Sequence, residues 1–334
     1  MPLSTSPPDI AFLFAGAGLV LYAGSRAAVD ALTVTNDPTP GRMALAQWMP
    51  IAWSALLATA AGHSEIGVGL VFATSVAALA LNLGVLMMLI PRLESPPPTA
   101  RAWPFLLPAA LVPLLAGFRA SLNWLHALMM LALGVAILVV WKAPRAVGDI
   151  PTATETRPRR VRALQLLIAI LLGAVGAWLG YQAVMAADAK TRVATSGLIS
   201  AAILSPLLAL PMLGTGAIAG NNGRTDAVMS NLVGVVLLNL CVLLPLVIFC
   251  DYARQIILAW TGGAHELAGI LEQLRPVPFP LGVWRIDNVL LVVLGMMMIP
   301  VSLGKWTLDR GEGVSLAFGY IAYLIASATT VVKL

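Results

Sequence analysis

The sequence predicts an all-α polytopic membrane protein with ten transmembrane helices, and two observations lead to this fold class. The first is composition: of 334 residues, 59% are hydrophobic and 10% are charged, and the mean hydropathy is +0.90. Soluble domains carry roughly 25% charged residues, so this chain has too few to cover a soluble surface. The second is that uncharged stretches of membrane-spanning length recur along the whole chain. The composition excludes a secreted disulfide scaffold, a nucleic-acid-binding protein and a disordered chain.

Each predicted span is a stretch without Asp, Glu, Lys or Arg that approaches the roughly 20 helical residues needed to cross about 30 Å of hydrocarbon. The ten stretches are 10–25, 43–64, 67–91, 103–118, 120–141, 163–187, 193–223, 227–250, 288–304 and 313–332. The first and the fourth are short, and we expect both helices to extend past a flanking charge. In the first, Arg26 and Asp30 are four residues apart, a spacing that allows an ion pair on one helix face.

The connectors are polar and rich in proline or glycine, as expected of irregular backbone outside the hydrocarbon. The linker 143–162, together with Lys142 just before it, carries six basic residues against two acids. Loops rich in Lys and Arg stay cytoplasmic, which predicts that this basic linker lies inside the cell and that both termini lie outside. We therefore expect a multi-pass protein of the plasma (inner) membrane.

The basic linker divides the spans into two groups of five, in the halves 1–142 and 163–334. Because five is odd, the second half enters the bilayer in the opposite sense, which predicts two inverted five-helix repeats. After the eighth span, 251–280 is the longest connector and mixes apolar with charged residues. We expect it to form two short helices lying on the membrane surface. This segment is either a surface cap or a docking site for a membrane-protein partner.

One region of each half shares a common layout. A constant shift along the chain, which we call the repeat shift, brings Pro50 onto Pro211. In each half the proline-containing apolar segment precedes a glycine-containing polar turn and a long apolar helix, and the two regions are 43–91 and 204–250. In transporters built from inverted repeats, interrupted helices at corresponding positions mark the substrate site near the bilayer midplane. We therefore predict helix breaks at both prolines and a site between them.

Two motifs follow these prolines. In the first half, Gly62-His-Ser-Glu-Ile-Gly-Val-Gly69 precedes Phe72-Ala-Thr-Ser75; in the second, Gly223-Arg-Thr-Asp226 precedes Asn231-Leu-Val-Gly234 and Asn239. They resemble the two α-repeats of the sodium/calcium exchanger (cation/calcium antiporter) superfamily, whose pattern is G-T-S-x-P-E, a spacer and G-N-x-x-G-S-N-x-x-N. The resemblance implies cation transport, with spans two, three, seven and eight as the core and spans one and six sliding across it.

The resemblance also implies that each repeat supplies a glutamate directly after the motif proline, and that these carboxylates bind the cation. In this chain those positions are Ile51 and Met212. The oxygen-bearing side chains that remain as ion-binding candidates are neutral: Ser54, Thr74, Ser75, Thr215, Ser230, Asn231 and Asn239. Calcium takes six to eight oxygen ligands, and its affinity depends on how many are charged. High-affinity calcium exchange is therefore disfavoured, whereas a monovalent cation such as Na⁺ suits hydroxyls and amides.

Each candidate also has a structural interpretation. Buried amides such as Asn231 and Asn239 commonly bond a neighbouring membrane helix, and hydroxyls can satisfy carbonyls of their own helix. Gln47 and Trp48 stand where the family has small hydroxyl residues, and a bulky indole there would fill a cavity. The four repeat spans contain no acid, so we expect no proton relay within them.

Two functions stay open from the sequence. The first is a secondary transporter-like protein, a cation antiporter with a carboxylate-free midplane site, whose partners are the lipid bilayer and a monovalent cation or other small solute. The second is a transport-inactive scaffold, or a subunit of a larger membrane complex. A transporter should have a water-accessible cavity reaching Asn231 and Asn239, whereas a scaffold should have that space filled by Trp48, Met212 and Val235. The sequence lacks enzyme motifs and metal-ligand spacings, and we expect no cofactor.

Overall fold

The structure, a computed structural model, describes the chain in nine stretches. They are 6–33, 40–90, 104–141, 158–190, 196–221, 225–262, 274–280, 282–302 and 306–332. The helices of the first half are α1 (Pro7–Thr33), α2 (Pro40–Ala60), α3 (Ser64–Leu89), α4 (Leu106–Ala116) and α5 (Trp124–Trp141). Those of the second half are α6 (Arg159–Lys190), α7 (Ser196–Asn221), α8 (Thr225–Thr261), α9 (Val283–Ser302) and α10 (Arg310–Val332).

Within the described residues, seven helices are long and apolar enough to cross a membrane, namely α1, α2, α3, α6, α7, α8 and α10. Two shorter apolar helical stretches, Leu106–Arg119 and Trp124–Leu138, include α4 and part of α5. A helix satisfies its own backbone hydrogen bonds, so it can exist in hydrocarbon without partners. The prediction of an almost purely helical, multi-pass membrane protein is therefore confirmed.

Helices α3 and α8 lie at the centre of the molecule. In α3, 89% of the apolar span is buried within the protein and in α8 78%, whereas the figure is 28% for α1 and for α6. Helices α2, α3, α7 and α8 contact one another, while α1 packs chiefly against α6. The contact of α1 with α6 is close, because a Cβ atom at Gly24 would lie 3.1 Å from the backbone nitrogen of Gly173.

Several helices contain a π-helical segment with one wider turn. These segments are Ala77–Asn82 in α3, Ser200–Leu204 in α7, Asn239–Leu243 in α8 and Val283–Asn288 in α9. The repeat shift seen in the sequence places the α8 segment onto positions 78–82, inside the α3 segment. Single π-helical turns within α-helices are frequent at functional sites. The two central helices therefore share an irregularity at matching positions.

The structure differs from the sequence prediction after the eighth span. Helix α8 continues without interruption to Thr261, so the first eleven residues of the segment 251–280 extend a long helix and do not form a separate surface helix. The prediction was wrong here because charged residues were taken to end the span, whereas Asp251 is buried. Residues 263–273 lie outside the described residues. Further on, strand β2 (Val277–Pro278) pairs antiparallel with β1 (Ser121–Leu122) in the α4–α5 connection.

The basic linker lies largely outside the described residues, and the first helix is longer than its charge-free stretch. Residues 142–157 lie outside the described residues, and α6 begins at Arg159. The first helix does extend past its flanking charges, to Thr33. Arg26 and Asp30 pair at 3.9 Å on its surface, with both side chains about half exposed. Exposed pairs of this kind contribute little to stability, so the pair has the structural role of a surface contact.

Candidate functional site

The two prolines lie inside continuous helices, Pro50 in α2 and Pro211 in α7. The prediction of helix breaks at these prolines was therefore wrong. Each proline still removes one backbone N–H donor. Four residues later in each helix, a side-chain hydroxyl bonds the proline carbonyl: Ser54 donates to Pro50 and Thr215 donates to Pro211, both at 2.9 Å. The repeat shift brings Ser54 onto Thr215, so the two helices match in this detail.

A chain of hydrogen bonds links α8, α2 and α7 through Gln47. The amide nitrogen of Asn231 donates to Oε1 of Gln47 at 2.6 Å, and the amide nitrogen of Gln47 donates to the hydroxyl oxygen of Thr215. Gln47 and Asn231 are both fully buried. We call Asn231, Gln47 and Thr215 the Gln47 chain. The sequence indicated Gln47 only as a residue that fills space, whereas in the fold it connects two candidate site residues.

A second cluster joins α8 to α3. The amide nitrogen of Asn239 donates to the hydroxyl oxygens of Thr74 and Ser75, at 3.1 and 3.0 Å. The two hydroxyls in turn donate to carbonyl oxygens of α3, Thr74 to Leu70 at 2.6 Å and Ser75 to Val71 at 2.7 Å. All three side chains are fully buried. We call Asn239, Thr74 and Ser75 the Asn239 cluster.

The predicted site residues thus form two groups and not one. Asn231 and Asn239 are eight residues apart on α8, which corresponds to about 12 Å along a helix. Ser54 bonds its own helix and joins neither group. Ser230 is buried beside Asn231 in the sequence, and within the described part of the chain its hydroxyl has no hydrogen-bond partner.

Both groups leave an oxygen acceptor unused. Among the described residues, the side-chain carbonyl oxygens of Asn231 and Asn239 have no hydrogen-bond donor. Leaving a buried polar atom unsatisfied costs about 1–3 kcal/mol, so both oxygens are expected to have a partner in the functioning protein. A carbonyl oxygen can be satisfied by a cation or by a water hydrogen. The electrostatic character of both groups is neutral and acceptor-rich.

Apolar side chains occupy the two positions that directly follow Pro50 and Pro211. Ile51 and Met212 are fully buried, as is Val235, and Trp48 is half-buried with its indole nitrogen unpartnered within the described residues. The candidate oxygens are buried with them, so the space between the central helices is closed in this conformation. Closure is the state expected of a scaffold, and it is also the occluded state of a transporter.

A cleft of about 630 Å³ opens at the start of α3. Its lining residues are Gly62, Ser64, Glu65, Asp251, Arg254, Gln255, Leu258, Ala259, Arg275, Pro276 and Pro278. The buried carboxylate of Asp251 accepts hydrogen bonds from Arg254 at 3.1 Å and from Gln255 at 2.7 Å. Because the arginine neutralises it, Asp251 does not give the cleft a negative charge.

The sequence search missed two neighbouring polar residues of α9. Uncharged stretches place the ninth span at 288–304, but the helix begins at Val283 and contains Asp287, of which only 4% is exposed. The side chain of the next residue, Asn288, hydrogen-bonds the backbone of α4. Its amide nitrogen donates to the carbonyl oxygen of Ala110 at 3.0 Å, and its oxygen accepts from the backbone N–H of Leu114 at 2.7 Å. A search that rejects charged residues cannot detect a charged residue inside a helix.

Comparisons with known proteins give a consistent result. A family model described as sodium/calcium exchanger protein matches residues 161–329. One similar solved structure is a sodium-calcium exchanger, NCX_Mj, with a TM-score of 0.61 and 17% identity over 95% of this chain and 97% of that one. A second is the H⁺/Ca²⁺ exchanger CAX, with a TM-score of 0.59 and 13% identity over 96% of this chain and 88% of that one. A third is native YfkE, with a TM-score of 0.66 and 12% identity over 97% of this chain and 93% of that one. At these identities the structures show a shared fold. A search of curated protein sequences found no match.

Proposed function

We propose that this chain, which belongs to the sodium/calcium exchanger protein family, is a secondary transporter that exchanges cations through a carboxylate-free site between α2, α3, α7 and α8. The single observation that carries the proposal is the pair of unpartnered, fully buried carbonyl oxygens of Asn231 and Asn239. Cations bind oxygen acceptors, and these two lie on the helix that contacts both proline-containing helices.

The architecture we propose is ten transmembrane helices in two inverted five-helix repeats, 1–142 and 163–334, with the basic linker between them. Three features support it. A helical run overlaps each of the ten predicted spans in the described part of the chain. The π-helical segments of α3 and α8 match under the repeat shift. The hydroxyl bonds of Ser54 and Thr215 match under the same shift. In alternating access, α1 and α6, which pack together at the periphery, would slide across the central four helices.

The proposed cargo is a monovalent cation, and Na⁺ is the first candidate. Taking a charge out of water costs several kcal/mol even after relaxation, and the cost grows steeply with ionic charge. The lost carboxylate positions, Ile51 and Met212, supply no opposing charge. Amide and hydroxyl dipoles can replace part of the hydration of one unit charge, while a divalent ion requires charged ligands. Selectivity against Ca²⁺ follows from this difference.

The second candidate function is a transport-inactive membrane scaffold, and closure of the central space favours it. The side chains of Met212 and Val235, between the central helices, are fully buried. In this case the Gln47 chain and the Asn239 cluster are interhelical contacts, and the segment 251–280 is a candidate partner surface.

Ion flux into proteoliposomes distinguishes the two functions. We would measure uptake of radioactive Na⁺ and Ca²⁺ by the wild type, by Asn239→Ala, and by Asn123→Ala as a matched control. Asn123 accepts a hydrogen bond from the backbone of His126 at the start of α5, outside the four central helices. Na⁺ flux that is lost in Asn239→Ala and retained in Asn123→Ala supports the transporter. The absence of flux for every cation in a correctly folded wild type would refute it and leave the scaffold.

A further inference from the structure

Helices α9 and α10 enclose a buried carboxyl group that the proposed transport site does not use. Asp287 lies in the π-helical segment of α9, and it faces Tyr320 and Tyr323 of α10, of which 3% each is exposed. The hydroxyl of Tyr323 lies near the carboxyl group, and within the described residues no hydrogen bond of good geometry joins the two. The two tyrosine rings are 5.5 Å apart between centroids, and in the described part of the chain the Tyr320 hydroxyl has no hydrogen-bond partner.

No basic side chain among the described residues forms an ion pair with Asp287. The α9 segment packs against α3, α4 and α10. Helix α4 contains no titratable residue, and the only one in α3, Glu65, lies in its first turn, where it is partly exposed and pairs with His63. Arg285, on α9 itself, is exposed. The charged residues of α10, Arg310 and Glu312, lie in its first turn, two turns or more before Tyr320. The groups that face the carboxyl are therefore two neutral hydroxyls.

An ionised carboxylate in these surroundings would be expensive. An unpaired charge in a low-dielectric interior costs several kcal/mol even after relaxation, and intramembrane acidic residues are retained for functional reasons. Two neutral hydroxyls reduce this cost but do not cancel the charge. The negative charge must be neutralised by a proton or by a metal cation.

The geometry favours the proton. The cluster offers the two carboxyl oxygens and two tyrosine hydroxyls, fewer than the six to eight oxygens that Ca²⁺ takes. Within the described residues, no group of three or more His, Cys, Asp and Glu could hold a metal. A proton, by contrast, needs only one oxygen of the carboxyl group itself.

We infer that Asp287 is a proton-binding site, which holds a carboxylic acid between α9 and α10 at neutral pH. In the binding step a carboxylate oxygen takes a proton from hydronium, an O–H bond forms and water is released. The site lies outside α2, α7 and α8, and the inference does not require that the protein transports a cation.

The position of the site gives the proton a route to influence the central helices. Helix α10 packs on α3 backbone to backbone, since a Cβ atom at Gly84 would lie 2.8 Å from the carbonyl oxygen of Gly313. Tyr320 is seven residues, or about two turns, after Gly313, so it lies on the same face of α10. Loss of the proton would place a negative charge against the same face of α10, about two turns from this close contact. The same helix α3 carries Thr74 and Ser75.

Infrared difference spectroscopy of the purified protein in detergent tests the inference directly. A protonated carboxyl group has a carbonyl stretch that ionised carboxylates lack. We expect this band in the wild type at about pH 7, where exposed Asp side chains are ionised and do not contribute to it. The band should be lost in Asp287→Asn. The matched control is Asp251→Asn, which replaces the other buried aspartate, held by Arg254. The band should persist there. A band that survives in Asp287→Asn, or is missing in the wild type, would overturn the inference.

Two further measurements keep the test decisive. If Asp287→Asn does not fold, Tyr323→Phe replaces it: removal of the hydroxyl should shift the band without abolishing it, and an unshifted band would contradict the cluster. Titration with NaCl at constant pH separates proton from metal ion. A band unaffected by Na⁺ supports the proton, whereas a band that Na⁺ removes assigns the site to a cation and refutes our inference.

Discussion

Replacement of Asn239 by leucine tests whether this residue is a cation ligand or only a structural contact between helices. Leucine has the same number and connectivity of heavy side-chain atoms as asparagine but no polar atom. If the Asn239 cluster is only an interhelical contact, its loss removes two hydrogen bonds, to Thr74 and Ser75. If the unpartnered carbonyl oxygen is kept for a ligand, the same change also removes an unsatisfied buried acceptor.

The two contributions have opposite signs. Side-chain hydrogen bonds between membrane helices average about 0.6 kcal/mol each, so two of them contribute roughly 1.2 kcal/mol. Relief of one unsatisfied buried acceptor returns about 1–3 kcal/mol. The hydroxyls of Thr74 and Ser75 stay satisfied, because they donate to α3 carbonyls. We therefore expect Asn239→Leu, in the absence of cation, to be at least as stable as the wild type.

The assay is unfolding in detergent with and without Na⁺, with Asn82→Leu as the matched control. Asn82 is a buried amide on α3, and it donates to the backbone carbonyl of Ala209 at 2.7 Å. Its replacement should cost about 1 kcal/mol and leave the response to Na⁺ intact. A cation at ten times its dissociation constant should stabilise the wild type by about 1.4 kcal/mol and Asn239→Leu not at all. Destabilisation of Asn239→Leu by more than about 2 kcal/mol, with an unchanged response to Na⁺, would refute the reasoning.

Two more predictions concern packing and selectivity. Gly84→Ala should lower the free energy of unfolding by about 1–3 kcal/mol, because its Cβ atom would meet the Gly313 backbone at 2.8 Å. The control is Gly16→Ala, whose Cβ atom would have nothing within 4 Å. This control should be neutral or slightly stabilising. Equal stability of the two variants would contradict the close α3–α10 contact. Restoring both family carboxylates with Ile51→Glu and Met212→Glu should create Ca²⁺-dependent stabilisation that the wild type lacks, measured as a Ca²⁺-dependent rise in Tm. A double variant that folds and ignores Ca²⁺ would show that the lost carboxylates do not account for selectivity.

Part of the candidate site followed from the sequence. The repeat shift paired Ser54 with Thr215, and in the structure both hydroxyls make the same bond to a proline carbonyl. The sequence did not show that the candidates divide into two groups, in which Asn231 and Asn239 bond different helices. The role of Gln47 was also missed, since a residue type at one position does not show which distant side chain it meets.

The helix limits show a similar division. Charge-free stretches located the helices, but they ended the eighth one too early, at 250, and began the ninth too late, at 288. Buried Asp251 has an arginine partner one turn away, and Asp287 has tyrosines on another helix. A charged residue can lie in a helical core when a partner residue compensates it. If that partner is remote in the chain, the local sequence does not show that it is present.

The sequence by itself determined that the chain is a helical membrane protein and that the residues directly after Pro50 and Pro211 carry no charge. Both are local properties: hydropathy measures transfer into hydrocarbon, and a helix satisfies its own backbone. Only the tertiary structure decided which polar groups meet. The interhelical hydrogen bonds of the Gln47 chain and the Asn239 cluster join residues separated by 168, 184, 165 and 164 positions. Contacts over such separations depend on how whole helices pack, and that packing also encloses Asp287 between α9 and α10.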